Sequence, residues 1–433
     1  MGMEFARVED VLRNPIVGKE YSLRGWAYRT RHVGGLVFVV LRDSTGILQV
    51  VVEQGAVPEE DFEQAKQTTV ESSLQVRGVL REEARAPGGY ELHARSYRLV
   101  HKAERFPITK DKSDEFLLDN RHLWVRSRQM NAILKIRSTV FWAIHEWFRE
   151  NGYYEVQGPM FVGAAVEGGA TLFEVPYFGR KAYLTQSSQF YLEALIFSLE
   201  RVYTIAPSFR AEKSRTRRHL TEFWHAEAEV AWYGNEDMMK DEERLVEHVV
   251  QTVLDERVRE LELLSRDTEP LERVKAPFPR VRFTEVRDML TSMGYEVPMD
   301  SDLGIDEETA ISKRFEKPFF ITHFPREAKA FYHRPDPSDP RFCLNHDMLA
   351  PEGYGEIIGG GERIWELDVL LERIREEGLN PEDYKWYIDL RRYGSVPHAG
   401  YGLGVDRLVT WIADLGHIKY AIPFPRTIRR LRP

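Results

Sequence analysis

Arginines, carboxylates and aromatic rings crowd one short stretch of the chain, FRAEKSRTRRHLTEFWHAEAE at residues 209–229. Arg210 and Glu212 are two residues apart, so on an extended strand their side chains would share one face. A guanidinium matches phosphate oxygens with two parallel hydrogen bonds, and Phe223 could stack on a flat base for about 1–3 kcal/mol. A solvated helix face is the plain alternative. The other interpretation is a site that holds a polyanion, a flat base and a zwitterion together, and the choice between the two depends on the rest of the sequence.

A second group of candidate residues lies in the last quarter of the chain. Arg407 follows the glycine-rich segment YGLGV, where glycines let the backbone approach a ligand closely. Asp347 and Glu356 are candidate Mg²⁺ ligands, because Mg²⁺ on a nucleotide takes one or two carboxylates plus phosphate oxygens. Neither a strand–GxGxxG–helix unit nor a GxxxxGK[ST] loop occurs, which argues against the dinucleotide and P-loop classes.

The elements that must position these residues can be read from the pattern. VYTIAPSFRAE and FWHAEAEVAWY have the composition of two strands, and the basic loop KSRTRRHLTE joins them. Before them, apolar residues recur with helical period from Met130 to Phe148, and Gly152 ends that helix. Strands and helices then mix without regular βαβ spacing.

The domain organisation follows from composition. Residues 1–104 are β-rich, with turn signals at Asp43-Ser44-Thr45-Gly46 and at Pro87-Gly88-Gly89, and predict a small barrel or sandwich. Residues 105–128 are polar and predict a linker. Residues 129–433 are predicted to form the second domain, with a helical insert at about 235–315.

Bulk properties exclude several classes of protein. The net charge of −9 is unlike that of strongly basic nucleic-acid binders, although a local basic patch remains compatible with it. The single cysteine excludes an internal disulfide and a zinc site built on cysteine pairs, and suits a reducing cytoplasm. No apolar run is long enough to span a membrane and no secretory signal is present, so we expect a cytoplasmic protein without a membrane partner.

Taken together, the motifs resemble those of the class II aminoacyl-tRNA synthetases. FRAE followed by RRHLTEFW is similar to motif 2, GLGVDRL to motif 3, and the helix ending in ENGYYEVQGP to motif 1. The N-terminal GWAYRTRHVGGLVFVVLRDSTGILQ resembles the OB-fold anticodon-binding domain of the aspartate, asparagine and lysine subgroup. The resemblance covers nearly the whole chain in the right order. It implies an α+β fold: an OB-fold β-barrel, then a class II catalytic domain on an antiparallel sheet flanked by helices.

This resemblance implies a reaction and a set of roles. An amino-acid carboxylate attacks the α-phosphorus of ATP, pyrophosphate leaves, and the aminoacyl group passes to the 3′ end of a tRNA. Arg210 would hold the α-phosphate, Arg407 the γ-phosphate, and Asp347 and Glu356 would hold Mg²⁺; Arg210 and Arg407 are the predicted catalytic residues. The remaining ATP contacts implied by the family are Glu212, Arg218, His219, Leu220, Phe223 and Gly404. A homodimer would form through the motif 1 helix around Pro159.

The choice between asparagine and aspartate depends on a few positions. Aspartyl relatives resemble QSPQ-x-x-K, but here the lysine position of QSSQFYLE holds Leu192. A buried substrate carboxylate without that cation would face a desolvation cost of several kcal/mol. The resemblance places Glu227 and Arg363 at the substrate side chain, where an amide would find both an acceptor and a donor. The sequence therefore predicts asparagine as substrate and tRNA(Asn) as partner, in the manner of archaeal-type asparaginyl enzymes.

The resemblance also assigns residues outside these motifs. Glu167, in the glycine-containing stretch AVEGGATLF, would bind the α-ammonium from a mobile loop, with Ser187 and Gln189 assisting. Phe38 and Gln49 would stack on and hydrogen-bond the central anticodon base, U35. Either Arg29 or Arg31 would meet the RNA backbone or a base. A core position is the competing reading for Phe38, because apolar residues run through LVFVVL.

Two departures from the asparaginyl pattern bear on the substrate. GGGERI replaces the more usual GGSQR, so Glu362 adds a carboxylate next to Arg363 that would weaken its hold on the substrate. Asp406 replaces a glutamate, and would be a shorter substitute if that acid holds Mg²⁺ or Arg407. The alternatives are an aspartyl enzyme, perhaps charging both tRNAs, an asparagine-synthetase-like paralogue, and a non-catalytic tRNA-binding protein. Leu192 argues against the aspartyl enzyme, and the OB-like domain argues against the asparagine-synthetase-like paralogue. The intact motif residues argue against the non-catalytic protein.

Overall fold

The computed structural model describes residues 4–110, 112–163, 171–213 and 216–433. The chain divides into two compact units, Met1–Leu117 and Leu118–Pro433. The predicted boundaries at 104 and 129 lie on either side of this division. The segment between them contains two short helices. In the ranges described, no helix has both the length and the apolar character that crossing a membrane requires.

The first unit is a closed five-stranded barrel with strand order β1-β2-β3-β5-β4. Two helices accompany it, α1 (Val8–Arg13) and α2 (Glu59–Gln67). The strands are β1 (Glu20–Val33), β2 (Leu36–Arg42), β3 (Ile47–Glu53), β4 (Ser73–Glu82) and β5 (Tyr90–His101). The barrel confirms the predicted OB-fold.

Alternation of side chains builds the barrel interior. Val37, Val39 and Leu41 on β2 are almost fully buried, so the residues between them face outward. The β2–β3 hairpin turns at Asp43, whose carboxylate accepts hydrogen bonds from the backbone N–H groups of Thr45 and Gly46 at 2.7 and 2.9 Å. This Asx turn explains why the predicted turn forms where it does.

The second unit is built on an eight-stranded, largely antiparallel sheet with order β12-β13-β16-β17-β18-β11-β10-β6. Its strands are β6 (Tyr154–Glu155), β10 (Arg201–Phe209), β11 (Glu222–Ala231), β12 (Arg280–Arg282), β13 (Phe319–Thr322), β16 (Asn345–Ala350), β17 (Gly355–Glu362) and β18 (His398–Gly404). Smaller sheets contain β7 (Phe161–Val162), β8 (Glu174–Tyr177), β9 (Arg180–Leu184), β14 (Pro335–Asp336) and β15 (Asp339–Cys343). The antiparallel β10–β11 pair confirms the two predicted strands around the basic loop.

The helices lie between and beside these strands. They are α3 (Asp114–Asp119), α4 (Arg121–Trp124), α5 (Arg128–Glu150), α6 (Gln189–Leu199), α7 (Asn235–Glu256), α8 (Val258–Leu263), α9 (Glu269–Glu272), α10 (Phe283–Ser292), α11 (Ile305–Ser312), α12 (Leu367–Glu376), α13 (Lys385–Arg392) and α14 (Val405–Ile412). Short 3₁₀ turns occupy Pro87–Gly89, Arg326–Ala328, Pro381–Tyr384 and Ile418–Tyr420. The segment expected to be a helical insert contains α7 to α11, and also the edge strand β12.

The helix predicted from apolar periodicity is α5. The Ser127 hydroxyl caps its first turn by accepting from the Met130 N–H at 3.2 Å. It ends before Gly152, which has a φ of 78° that glycine adopts without strain. One face of α5 is buried, whereas Trp142 on another face is 62% exposed.

Candidate active site

Alternate residues of β11 project toward one continuous recess in the second unit. Phe223 and His225 line one cavity, and His225, Glu227 and Glu229 line a second of about 420 Å³. Residues two apart on a strand share a face, so alternate side chains of β11 line both cavities, and Trp224 also contributes to the first. Arg210, His225, Glu356 and Gly402 line both cavities.

The first cavity is rich in positive charge. The guanidinium of Arg210 lies 5.6 Å from the centre of the Phe223 ring, a cation–π contact. Arg407, at the start of α14, donates to the carboxylate and to the carbonyl oxygen of Glu356 at 2.8 and 3.0 Å. The predicted ATP residues that line this cavity are Arg210, Arg218, His219, Leu220, Phe223, Glu356, Gly404 and Arg407.

Glu212 is placed differently from the other predicted ATP residues. β10 ends at Phe209, and the Ala211 N–H bonds to Thr171. Glu212 then lines a separate cavity with Phe173 and Arg426. The expectation that Arg210 and Glu212 share a strand face is therefore wrong, because the strand has ended before them.

His225 connects the two cavities as a neutral group. Burial, together with the charges of Arg210 and Arg407, lowers the pKa of His225 to about 3. Its Nδ1 lies 3.1 Å from the Ser208 hydroxyl. A neutral imidazole adds no positive charge to the two cavities that it lines.

The second cavity gathers the predicted amino-acid residues. Ser187, Gln189, Leu192, Glu227 and Arg363 all line it. Leu192 is fully buried and packs against Val156, Ile196, Val202 and Ala231. Glu167 and its neighbouring glycines lie outside the described residues.

The carboxylate that binds Arg363 is Glu229. Glu229 Oε1 accepts from Arg363 Nε at 3.0 Å and from Nη2 at 2.6 Å. Glu227 instead accepts from the Ser187 hydroxyl and, at 2.8 Å, from the Ser188 N–H. Gly400 makes room for this arrangement, since a Cβ there would lie 2.1 Å from the Glu229 carboxyl carbon. The sequence paired Glu227 with Arg363 and missed Glu229, which the alternation of β11 could have revealed.

Several polar atoms of this cavity have no partner among the described residues. They are Glu229 Oε2, His333 Nδ1 and the Tyr401 hydroxyl. Burial, with Arg363 and Lys329 nearby, lowers the pKa of His333 well below its usual value, so His333 is neutral. Buried polar atoms are nearly always hydrogen-bonded. These orphaned atoms therefore suit a small ligand that carries its own donors and acceptors.

The side-chain amide of Gln189 is oriented by a buried carboxylate. Its Nε2 donates to the fully buried Glu193 at 3.0 Å, and Glu193 also accepts from Tyr387 and Arg391. Because the NH₂ end is fixed on Glu193, the carbonyl oxygen is the end left for a ligand. A carbonyl oxygen suits an ammonium group.

Two carboxylates meet at the predicted metal position. A Cβ added to Gly359 would lie 3.3 Å from Glu356 Oε1 and 3.4 Å from Asp347 Oδ1, so both side chains converge over the same glycine. Lys329 Nζ lies 2.8 Å from Asp347 and 2.9 Å from Asp302. In the described ranges no group of three or more ligating side chains is arranged for a metal. Lys329 was not predicted, and no local motif marks it.

The two departures from the expected pattern have other functions. Glu362 accepts from the Asn235 N–H at 2.9 Å and from Arg334 at 3.1 Å. Asp406 accepts from Arg137 at 2.5 Å and from the Trp224 N–H at 2.7 Å. The expectation that Glu362 weakens Arg363 is wrong, and so is the suggestion that Asp406 holds Arg407, which Glu356 holds. Asp406 instead ties α5 and β11 to the start of α14.

The predicted anticodon residues lie on the outer surface of the barrel. Phe38 is half-buried while Val37 and Val39 are buried, so the competing core reading of Phe38 is wrong. In the strand registers Phe38 is opposite Arg31 and Val51, and Val40 is opposite Arg29 and Gln49. Gln49 donates to Glu91 at 2.8 Å. Strand geometry thus places an aromatic ring, an amide and two exposed arginines on one face.

Comparison with protein-family models matches both units. Residues 113–428 match the family described as class II tRNA synthetases (D, K and N), and residues 21–100 match the OB-fold nucleic acid binding domain.

Individual relatives agree along nearly the full length. The asparagine–tRNA ligase of Thermoplasma acidophilum is 53% identical over 98% of this chain and 99% of that protein. The crystal structure of asparaginyl-tRNA synthetase from Pyrococcus horikoshii complexed with asparaginyl-adenylate has a TM-score of 0.96 and 50% identity, covering 99% of this chain and 100% of that one. An aspartyl-tRNA synthetase from Entamoeba histolytica shares the fold, with a TM-score of 0.86 at 24% identity over 100% of this chain and 93% of that one.

Proposed function

The chain belongs to the class II tRNA synthetases of the aspartate, lysine and asparagine group, and on this premise we propose that it activates asparagine with ATP and transfers it to tRNA(Asn). The observation that carries the proposal is the polar lining of the second cavity, which Glu227, Glu229 and Arg363 line. Arg363 is held by Glu229 through Nε and Nη2, and the orphaned atoms of Glu229, His333 and Tyr401 lie in the same cavity.

An asparagine side chain fits this lining better than an aspartate side chain. Its carbonyl oxygen would accept from Arg363, and its NH₂ group would donate to the carboxylates of Glu227 and Glu229. An aspartate carboxylate would be repelled by those two carboxylates, and the buried Leu192 supplies no cation at its position. When a site is built to hydrogen-bond one substrate group, kcat/KM for an analogue that lacks this group is lower by about 10⁴-fold in favourable cases. Ser187, Gln189 and Glu167 are the proposed contacts of the α-ammonium.

Introducing a cation beside this cavity should change the amino-acid preference. We expect Leu192→Lys to gain aspartate-dependent pyrophosphate exchange, because a lysine there could neutralise the substrate carboxylate. The measurement is kcat/KM for aspartate and for asparagine in ATP–pyrophosphate exchange. Leu192→Met is the matched control, since it keeps the packing without the charge. A lysine variant that folds but prefers asparagine as strongly as the parent protein would remove Leu192 as a determinant.

Adenylate formation follows from the positions of the arginines. A carboxylate oxygen of asparagine forms a bond to the α-phosphorus while the bond to the bridging oxygen breaks, and pyrophosphate leaves. Arg210 would stabilise charge on the α-phosphate in the transition state, Phe223 would stack on adenine, and Arg407 and Arg218 would bind the departing phosphates. The terminal ribose hydroxyl of the tRNA then attacks the carbonyl carbon of the adenylate, and AMP leaves. No protein nucleophile is needed, so catalysis consists of positioning and electrostatics.

The two convergent carboxylates fit Mg²⁺. Asp347 and Glu356 would supply two oxygens, and phosphate oxygens of ATP the others, as is usual for this ion. Burial, with Glu356 close by, raises the pKa of Asp347, whereas Arg407 and Lys329 outweigh burial and lower the pKa of Glu356. Bound there, the ion would neutralise phosphate charge.

The outer surface of the barrel is the proposed anticodon site. Phe38 would stack on the central base, Gln49 would hydrogen-bond its edge, and Arg29 or Arg31 would contact the RNA backbone or a base. Phe38→Ala is expected to raise KM for tRNA(Asn) about 10-fold, which corresponds to the stacking energy of one base. The assay is aminoacylation at varied tRNA, with asparagine-dependent exchange as a control that should not change. If the rate of asparagine-dependent exchange falls together with the rate of aminoacylation, Phe38 does not act by binding the anticodon at the barrel surface.

We also propose a homodimer in the cytoplasm. Trp142 on α5, Tyr154 and Phe161 are 62%, 58% and 51% exposed, and Pro159 is exposed as well. Aromatic residues are enriched at protein interfaces, so these exposed side chains suit contact with a second copy. The cytoplasm is where tRNA is charged for translation, and the single cysteine suits that compartment.

One experiment tests the proposed function directly. ATP–pyrophosphate exchange is measured with asparagine and with aspartate, each in the presence and absence of Mg²⁺. Exchange that depends on asparagine and Mg²⁺ is the expected result. Exchange with aspartate of equal kcat/KM would replace the proposal with a non-discriminating enzyme.

A further inference from the structure

Arg218 is held by residues far from it in the sequence. Its Nη1 donates to Glu308 Oε2 at 2.9 Å, and its Nη2 donates to the Thr309 hydroxyl at 2.5 Å and to the Gly353 carbonyl at 2.6 Å. Glu308 and Thr309 belong to α11, within the segment that the sequence marked only as an insert. The side chains of Arg218 and Glu308 are 14% and 16% exposed, so this is not a solvated surface ion pair.

The same Glu308 oxygen also binds the backbone of β17, the strand that carries the proposed metal ligand Glu356. Glu308 Oε2 accepts from the Glu356 N–H at 2.9 Å, at the start of β17. Glu356 in turn binds Arg407 at 2.8 Å. One carboxylate on α11 thus fixes the positions of both Arg218 and the Glu356 backbone. Glu308 and Glu356 thus link two of the three arginines of the first cavity, Arg218 and Arg407.

The backbone is shaped to allow this contact. Gly355 has a φ of 74°, and a Cβ there would lie 2.2 Å from Arg218 Nη1 and 2.4 Å from Glu308 Oε2. A side chain at this position would therefore expel the ion pair. Positive φ and the close approach both require glycine.

The geometry leaves part of the Arg218 guanidinium for a ligand. Arginine has five N–H donors in a fixed fork, and within the described chain three of its hydrogen bonds go to Glu308, Thr309 and Gly353. The remaining N–H groups belong to a side chain that lines the first cavity. A guanidinium anchored along one edge loses less rotamer freedom when it binds phosphate.

From this arrangement we propose that Glu308 is a positioning residue: it holds Arg218 in place for the β- and γ-phosphates of ATP, and so couples α11 to nucleotide binding. The inference rests on the proposed function for the identity of the nucleotide. It assigns a role to the segment between α7 and β13 that the motifs do not explain.

Titration calorimetry with ATP and with AMP tests the proposal. Glu308→Gln keeps the size of the side chain but removes its charge, and a charge-assisted hydrogen bond of this kind is worth about 10-fold or more in affinity. We expect ATP binding to weaken by about that factor while AMP binding does not change, because AMP lacks the phosphates that Arg218 would contact. In exchange assays, KM for ATP should rise. Glu307→Gln, the same substitution at the preceding residue of this helix, is the matched control.

A double-mutant cycle separates positioning from a general structural role. If Glu308 acts through Arg218, then Glu308→Gln should weaken ATP binding no further once Arg218→Ala is present. Equal losses for ATP and AMP, or additive losses in the cycle, would overturn the proposal in favour of a structural role. Tighter or unchanged ATP binding by Glu308→Gln would overturn it as well, since Glu308 would then compete with phosphate or be irrelevant. Calorimetry needs no amino acid, so this test stands apart from the asparagine-dependent assay of function.

Discussion

Replacing Arg210 with alanine is expected to lower asparagine-dependent pyrophosphate exchange by about 10²–10³-fold, the range found when one preorganised donor to a developing charge is removed. Arg210 lines both cavities and is therefore next to the position where the amino-acid carboxylate and the α-phosphate would meet. The loss should appear mainly in kcat, because the contact strengthens as charge builds on the α-phosphate. Steady-state exchange at varied ATP and asparagine measures both constants.

The matched control for this prediction is on the same loop. Arg217 is exposed, and Arg217→Ala removes the same charge without touching either cavity. We expect near-normal exchange from it, and an unchanged melting temperature from both variants. Normal exchange by Arg210→Ala would exclude Arg210 as the α-phosphate ligand.

Replacing Arg363 with lysine is expected to lower kcat/KM for asparagine by about 10²–10⁴-fold, because a site that has lost its donor to the substrate oxygen discriminates by this order. The guanidinium has enough donors to bind Glu229 and a substrate oxygen at once, and its Nε and Nη2 already engage Glu229. A lysine ammonium can reach Glu229 but lacks the planar fork. The charge is retained, so Glu229 is not left as an unpaired buried carboxylate, which would cost about 3–5 kcal/mol of stability.

The readouts for Arg363 separate binding of the two substrates. kcat/KM for asparagine should fall while the calorimetric affinity for ATP stays constant, since Arg363 lines the second cavity and not the first. Arg334→Lys makes the same substitution at an arginine that binds Glu362 and Glu366 outside both cavities. It should leave exchange unchanged. Unaltered asparagine kinetics in Arg363→Lys would remove Arg363 from the amide site.

Local sequence patterns correctly predicted the helices, strands and turns whose formation depends on residues close together in the sequence. Apolar periodicity predicted α5 and its end at Gly152, and the alternation and turn residues predicted the β2–β3 hairpin. The strands on either side of the basic loop were predicted as well, because each carries its own pattern of buried residues. The same alternation would have predicted His225 and Glu229 from Phe223 and Glu227, which lie on one face of β11.

Partner choice between charged side chains could not be predicted in this way. Glu227, Glu229 and Glu193 are all carboxylates within reach of the amino-acid cavity, yet only Glu229 binds Arg363, and Gly400 provides the space for it. Glu362 follows Gly361 on β17 and precedes Arg363, but it binds Arg334 and the Asn235 N–H instead. Adjacent residues on a strand point to opposite faces, so nearness in the sequence does not mean contact.

The sequence by itself determined the family, the barrel, the strands that carry the site and most of the residues that line it. Their motifs are local, and each specifies a strand, turn or helix end through short-range geometry. The tertiary structure alone decided that Glu308 of α11 holds Arg218, that Lys329 bridges Asp302 and Asp347, and that Asp406 ties α5 to β11. These contacts join residues tens to hundreds of positions apart. Ion-pair energies depend on distance and burial, and no local sequence pattern encodes either quantity.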